Sequence, residues 1–546
     1  MDTDIVLKEI GHFGKYQISI FLLLLLGGIY TTFPSISYVF TGGDLDYRCY
    51  IEQCDGNNTS LENKTWLEYA VPFSNQKPSK CYRYLPINIT VANEYDLETC
   101  REDMFLKNMT ERCNHFVYST AERTILSDFN LQCKENDWKR AAVGTANNIG
   151  QFIGMPLTGL YSDRFGRKNM FTVSILLSTF MGIFRSYTTS YETFIIFEVL
   201  DALVTSGSYC ACFILGVEIL APNRRVLGSV VIASFYTYGE VILGLVAWAL
   251  QDWRLYLRAL YAPGIIFIFY IWLIPESIRW LITNKKYLEA KKIIERIAVI
   301  NNISLSQELK KQLDNLESKD DKKSKSAQRR PSLVEKHKGV FKEIITSKIM
   351  ILRIANCSFS WMTNAFVFYG LALSSVSVAG NKYINFILVS LAELPGYAMT
   401  WIILDRFGRR LSLFLTLTIS GVSCIAFYFI PQEMIMLRLF LFLIGKCAIT
   451  VSFSVLYVFS SEIFPTSARH SLMGTCSMFG RVGSMMAPLT PLVAFYVEPS
   501  LIFGAAALTA GILGLHFPET LHQSLPDTVA EAENIGMKKN SKENTA

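Results

Sequence analysis

The sequence predicts an all-α, polytopic membrane protein with twelve transmembrane helices in two six-helix pseudo-repeats. Three observations predict it. Of 546 residues, 51% are hydrophobic and only 18% are charged, against about 25% charged in an ordinary soluble protein. The apolar residues gather in runs of the roughly 20 residues that one helical crossing of a hydrocarbon core needs. A short charged turn also recurs at matching places in the two halves of the chain. Such a composition excludes a disordered chain, a collagen-like fibre and a small disulfide scaffold. A mean hydropathy of +0.28, spread over so many uninterrupted runs, excludes a soluble multidomain enzyme.

The elements follow in order. Residues 1–17 precede the first span, 18–40, which is long enough to be a retained helix and not a cleaved signal peptide. A polar loop, 41–138, comes next; from Thr41 to Asp137 it carries 10 Lys/Arg and 16 Asp/Glu, a net −6. It holds Asn-X-Ser/Thr acceptors at Asn57, Asn58, Asn63, Asn88 and Asn108, and the cysteines Cys49, Cys54, Cys81, Cys100, Cys113 and Cys133. Glycan acceptors and an even cysteine set suit the oxidising extracellular side, so this loop is expected outside, N-glycosylated and disulfide-bonded. Six cysteines allow about 15 pairings, which the sequence leaves open. The remaining cysteines lie scattered in apolar segments and read as packing residues.

Spans near 140–161, 169–188, 192–217, 226–250 and 256–275 complete a first bundle, 18–280. A Lys-rich linker, 281–348, follows with 17 Lys/Arg against 9 Asp/Glu, a net +8. Basic loops stay in the cytosol, which places this linker inside. Within it, Tyr287–Ile300 is helix-patterned, Ser318–Ser326 is a low-complexity run, and Arg329-Arg330-Pro331-Ser332 has the pattern of a basic-directed kinase site. Spans near 349–373, 383–404, 411–430, 434–459, 470–496 and 499–517 form the second bundle, 349–517, before a tail, 518–546. With the first loop outside, twelve crossings put both termini in the cytosol. The overall charge of +6 is thus segregated by membrane side and is no sign of nucleic-acid binding.

The repeated turn is Gly159-Leu-Tyr-Ser-Asp163-Arg164-Phe165-Gly166-Arg167 at the end of the second span and Asp405-Arg406-Phe407-Gly408-Arg409 at the end of the eighth. Glycine permits a tight turn, aspartate can cap the next helix or pair with arginine, and the cations anchor at the inner interface. Its position makes the halves parallel repeats. Glu218 and Glu462 near the same ends are expected to join these turns as gate ion pairs with loop arginines.

Further stretches carry a resemblance: Phe129-Asn130-Leu131-Gln132-Cys133 followed by Asp137-Trp138, Pro275-Glu276-Ser277-Ile278-Arg279-Trp280-Leu281, Ser461-Glu462-Ile463-Phe464-Pro465-Thr466-Ser467-Ala468-Arg469, and Pro518-Glu519-Thr520. With them, the chain resembles the major facilitator superfamily and, inside it, solute carrier family 22, the organic cation, carnitine and organic anion transporters, from Gly14 to about Thr528. Ile278 stands where the family has a second proline. The stretches from Gly445-Lys446 to Tyr457, Glu393 to Tyr397 and Phe213 to Leu220 are similar to the carnitine/zwitterion branch. Organic anion transporters have a lysine where Tyr397 stands. Organic cation transporters have an aspartate where Arg481 stands, and the phosphate-loop-like Gly-Lys-Ser of the carnitine branch is Gly216-Val217-Glu218 here.

The resemblance implies the major facilitator fold and a plasma-membrane secondary transporter that moves small organic cations or zwitterions of carnitine, amine or β-amino acid type by alternating access. An organic anion exchanger is the alternative, and a non-transporting receptor or scaffold a further one. No His-Glu-X-X-His, Cys-X-X-Cys or phosphate loop occurs, and the six histidines show no ligand spacing, so neither an enzyme nor a metal site is expected. No cofactor is expected; a sodium ion or proton as coupling ion stays open. The partners are the substrate and the lipid bilayer.

Charges within spans cost roughly 2.5–3.5 kcal/mol each at a helix centre, so each demands a role. Glu393 (beside Pro395 and Gly396), Lys446 and Arg481 are expected to line the cavity, with Glu393 for an ammonium and Arg481 for a carboxylate. Pairing of either cation with Glu393 or Glu240 is the structural alternative. Glu198 and Asp201 share a helical face with Tyr209; Glu198 is expected to pair with Arg185, and Asp201 to share that pair, with a place facing the cavity as its alternative. Trp361 and Phe368 lie seven residues apart, as do Phe386 and Glu393. By resemblance, Trp361, Phe368 and Phe386 hold the positions of cation-contacting aromatics, with Tyr209 in place of a tryptophan. Each ring around an ammonium would contribute about 0.5–2 kcal/mol. Asn147, Asn148 and Gln151 add hydrogen-bonding groups to the cavity wall.

Overall fold

The structure, a computed structural model, describes residues 9, 14–55, 66–74, 77–87, 100, 102–220, 224–307, 309, 343–378, 380–465, 468–494, 496–521, 523, 526 and 528–535. Its first bundle comprises α1 (Lys15–Thr41), α2 (Asp137–Phe165), α3 (Arg167–Ser186), α4 (Tyr191–Ile219), α5 (Arg225–Leu250) and α6 (Trp253–Leu273). The second comprises α7 (Lys348–Ser374), α8 (Lys382–Leu404), α9 (Arg409–Phe429), α10 (Ile435–Ile463), α11 (Arg469–Met486) and α12 (Pro499–Gly514). Seven of these, α1, α4, α5, α6, α8, α9 and α10, contain a stretch long and apolar enough to cross a membrane. Helices α2, α3, α7 and α11 are more polar because they carry the hydrogen-bonding side chains of the bundle interior.

Local chemistry sets the helix ends. Ser190, Asp252, Ser347 and Asn381 each accept a backbone N–H of the first turn and start α4, α6, α7 and α8. Prolines set the breaks. The helical run of α8 is interrupted at Ala392, because Pro395 has no N–H to offer Leu391. The eleventh span was expected to run to residue 496. Instead α11 ends at Met486, and Pro488 and Pro491 bend the chain through the short turns Ala487–Leu489 and Thr490–Val493.

Packing then builds the halves. Glycines let α2 lie directly on α4: a Cβ on Gly154 would sit 2.2 Å from the Leu203 carbonyl oxygen, and one on Gly150 2.5 Å from that of Val199. Tyr30, Phe171, Phe194, Leu257 and Tyr261 fill the first core, and Leu417, Ile449, Phe459 and Phe503 the second. The two bundles meet along α2 against α11 and α5 against α8. Those two pairs are equivalent under the internal repeat.

Among the described residues, the loop between α1 and α2 forms three two-stranded antiparallel sheets, Tyr47–Cys49 with Phe116–Tyr118, Phe73–Ser74 with Lys77–Pro78, and Tyr82–Pro86 with Phe105–Arg112. Its six cysteines pair as Cys49–Cys113, Cys54–Cys100 and Cys81–Cys133. A buried Arg48–Asp55 ion pair at 2.5 Å ties the loop internally. Lys382 at the start of α8 reaches Glu122 in this loop at 2.6 Å. Asn108 lies exposed on the longest strand. Asn57, Asn58, Asn63 and Asn88 lie outside the described residues, as do Ser318–Ser326 and Arg329–Ser332 of the linker. The expected linker helix is present as Tyr287–Asn301, and its Asn301 donates to Gln17 of α1 at 2.8 Å.

Candidate substrate site between the two halves

A charged centre sits where α5, α8 and α10 converge. Lys446 of α10 and Glu393 of α8 form an ion pair at 2.8 Å with both side chains wholly buried. Glu393 stands at the break of α8, one turn before Tyr397, whose hydroxyl reaches it at 3.5 Å. Thr237, on α5 of the other half, donates to the same carboxylate at 2.9 Å. Glu240, one turn along α5, is buried against Glu393 and Ser390. Lys446 also caps the face of Phe368, its ammonium 3.3 Å from the ring centroid. The Phe368 ring, expected to offer its face to a substrate ammonium, therefore spends one face on the protein's own lysine.

Aromatic rings from both halves surround this centre. Trp361 packs edge-on against Tyr457 at 4.5 Å and Phe453 at 5.7 Å, and Phe368 reaches the same Phe453 at 5.6 Å, so the two do share one face. Tyr209 of α4 packs on Tyr236 of α5 at 5.3 Å and has Tyr369 and Tyr457 of the second half among its neighbours. Tyr457 is 49% exposed beside Trp361 and Phe453. Arg481 of α11 lies beside Tyr457 and Cys210. Phe386 is placed elsewhere: it packs against Phe40 at 5.0 Å at the disulfide-loop end.

A second polar chain crosses the interface. Arg185 pairs with Glu198 and lies 3.7 Å from Asp201, all three buried, as expected for a structural cluster. Asn147 donates to Glu198 at 2.7 Å, Gln151 donates to Asn147 at 2.8 Å, and Arg481 donates to Gln151 at 2.7 Å. Arg481 thus takes its described partner from the other half, through Gln151, and pairs with neither Glu240 nor Glu393 among the described contacts. Asn148 turns back to the Gly144 carbonyl at 2.9 Å.

The disulfide-loop end of this centre is closed. Phe40 stacks on Tyr383 at 5.6 Å, Thr145 of α2 donates to the Met485 carbonyl of α11 at 3.2 Å, and a Cβ on Gly144 would lie 2.6 Å from Pro488. Toward the linker end, a Cβ on Gly474 would meet nothing within 4 Å.

The repeated turns are built alike in both halves. Gly166 has φ +103° and Gly408 φ +79°, a region that disfavours any side chain. Into each turn comes a glutamate from the far end of its own bundle. Glu276 accepts the backbone N–H groups of Arg167 and Lys168 at 3.0 and 3.1 Å, and Glu519 those of Arg409 and Arg410 at 2.9 and 3.1 Å. Each caps the positive start of the following helix. The next residues complete the repeat: Ser277 donates to Glu218, and Thr520 donates to Glu462 at 2.6 Å. Arg409 pairs with Glu462 at 3.1 Å, the expected gate pair; the described partner of Glu218 is a serine. Asp163 is 75% exposed and reaches Arg167 at 3.2 Å. Gly159 faces open space, Arg164 lies over Phe165 at 5.4 Å, and Arg406 is exposed. The side chain of Asp405 lies outside the described residues.

Sequence reasoning missed Tyr236, Thr237, Tyr369, Phe453 and Tyr457 as lining residues, and named Glu240 only as a pairing partner. Tyr457 and Phe453 were within reach, since helical spacing aligns them with Lys446 on α10. Nothing local marks Thr237, whose partner lies 156 residues away.

Residues 107–528 match the sugar (and other) transporter family. The chain is 30% identical over 542 residues to the organic cation transporter protein of Drosophila melanogaster, covering 98% of this chain and 96% of that one. It is 30% identical over 538 residues to organic cation/carnitine transporter 2 of Mus musculus, with 97% and 93% covered. Solute carrier family 22 member 3 of the same species is 29% identical over 545 residues, with 98% and 96% covered. Among solved structures, the inward-open xylose transporter XylE from E. coli superposes with a TM-score of 0.60 at 14% identity, covering 93% of this chain and 98% of that one, a likeness of fold. The chain is a multi-pass membrane transporter and belongs to the sugar (and other) transporter family of the major facilitator superfamily, in its solute carrier family 22 branch.

Proposed function

We propose that this protein is a plasma-membrane secondary transporter of small organic cations or zwitterions, working by alternating access with both termini and the 281–348 linker in the cytosol. One observation carries the reading. Between the halves, tyrosine and tryptophan rings from α4, α5, α7 and α10 gather between the buried Lys446–Glu393 pair and the partly buried guanidinium of Arg481. Rings and a carboxylate suit an ammonium group, and a guanidinium fork suits a carboxylate. The reading is supported by the contacts that join the halves at the disulfide-loop end, as expected of an inward-facing state in a transporter whose halves rock about the site. The printed names of the Drosophila and mouse relatives, organic cation transporter protein and organic cation/carnitine transporter 2, support the substrate class.

The experiment is uptake of radiolabelled carnitine, β-alanine, tetraethylammonium and an aryl carboxylate by cells expressing the protein, with and without sodium. Saturable uptake of the first three types supports the reading. Uptake of the aryl carboxylate alone would make the protein an organic anion exchanger, and no uptake at verified surface expression would leave a receptor or scaffold.

A further inference from the structure

The first half grips the first turn of α8. Asn381 caps that turn, accepting the N–H groups of Tyr383 and Ile384 at 3.0 and 3.2 Å, so Lys382 sits at the positive end of the helix. A cation there is unfavourable unless an anion answers it. Glu122 of the disulfide loop does so with both carboxylate oxygens, 2.7 and 2.6 Å from the ammonium. The Glu122 side chain is 10% exposed and that of Lys382 26%, so water screens this pair less than a surface pair. The next residue, Tyr383, stacks on Phe40 of α1 at 5.6 Å and on Trp248 of α5 at 6.5 Å. One turn on, Phe386 meets the same Phe40 edge-on at 5.0 Å.

Glu122 itself is fixed to the first half. It lies between Cys113 and Cys133, which are bridged to Cys49 and Cys81. Its neighbour Arg123 joins the turn between α5 and α6 through the backbone, donating to the Gln251 carbonyl at 2.8 Å and accepting from the Trp253 N–H at 3.1 Å. The Arg123 guanidinium reaches Asp128 at 3.0 Å, and Asp128 accepts from Trp253 and Arg254 of α6 at 3.1 and 3.0 Å. The carboxylate therefore moves with the first bundle, and the lysine with the second.

We propose that the disulfide loop is a strap whose Glu122 latches α8 through Lys382, holding the disulfide-loop end shut, and that releasing this latch shifts the protein toward its outward-open state. Outward opening carries the start of α8 away from α1, α5 and the loop, so it must part the ion pair and the Tyr383 stack together. Of the two, the ion pair is the part that ionic strength weakens. The latch rests on the alternating-access reading above.

The test reads how fast Cys210 reacts with an uncharged, membrane-impermeant maleimide applied outside intact cells expressing the full chain. Cys210 is an exposed thiol beside Tyr457 and Arg481, and the other described free cysteines are buried or half-buried; Cys210→Ser gives the background. A charge-assisted contact of this kind shifts an equilibrium about tenfold. Glu122→Gln and Lys382→Gln should therefore each speed the labelling about tenfold. The reversed pair, Glu122→Lys with Lys382→Glu, should bring the rate back, which a merely structural role would not do. Raised ionic strength at constant osmolarity should speed labelling of the wild type and leave both single variants unmoved. Unchanged labelling in the single variants, fast labelling that the reversed pair does not slow, or a wild-type rate indifferent to salt would overturn the latch. Labelling from the cytosolic face, in inside-out vesicles, separates this outcome from the transport reading. There the single variants should be slower than the wild type; faster labelling from both faces would count against alternating access and not against the ion pair as a latch.

Discussion

Replacing Arg481 tests the heart of the site. Its Nη1 is held at 2.7 Å by Gln151, and the side chain is only partly buried, beside Tyr457. An anchored guanidinium can present its remaining donors to a substrate carboxylate as a planar fork. A hydrogen bond to a charged group contributes about 1.5–3 kcal/mol. Losing the carboxylate contact in Arg481→Gln should therefore raise the Kd of a zwitterion roughly 10- to 150-fold, since about 1.4 kcal/mol is a factor of ten. Arg481→Lys should lie between, because an ammonium keeps the charge and loses the fork. The comparison uses a zwitterion such as carnitine and an amine analogue that lacks its carboxylate. The amine should be spared or bind better, since a cation beside its site has been removed. Arg481 also ends the chain through Gln151 and Asn147 to Glu198, so a purely structural role would weaken both substrates together. Equal losses at normal surface expression would refute carboxylate recognition.

Other expectations are independent of that one. Asp163→Asn removes only an exposed contact with Arg167 at 3.2 Å, so surface expression should hold while turnover falls; a raised substrate Kd with normal turnover would contradict a gating role. Glu519→Ala strips the cap from the start of α9, which accepts at 2.9 and 3.1 Å, and should cost about 1–2 kcal/mol, read as a melting temperature lower by a few degrees in detergent. Joint replacement of Cys49 and Cys113 by serine removes a bridge spanning 64 residues and should cost about 2–5 kcal/mol, seen as lost surface expression. Asn108, exposed on its strand, should carry a glycan, so that Asn108→Gln removes one glycosidase-sensitive step of gel mobility.

What the sequence determined alone was what depends on composition and local repetition. A hydrocarbon core forces each helical crossing to satisfy its own backbone over roughly 20 residues, so the helices were legible within a few residues, except where Pro488 and Pro491 end α11 early. The duplicated turn was legible because glycine and charge recur at fixed spacing, and an even cysteine set in a polar loop pointed to disulfides. Tertiary structure decided every relation between distant residues. It chose Cys49–Cys113, Cys54–Cys100 and Cys81–Cys133 from the allowed pairings. It revealed that Glu276 and Glu519 cap the two repeated turns, a role no local pattern states because each glutamate lies more than a hundred residues from its partner. It also seated Lys446 on Phe368 and joined Arg481 to Gln151, 330 residues apart. Charges in a span must find partners, but which partner depends on how the two bundles face each other, and that is a property of packing.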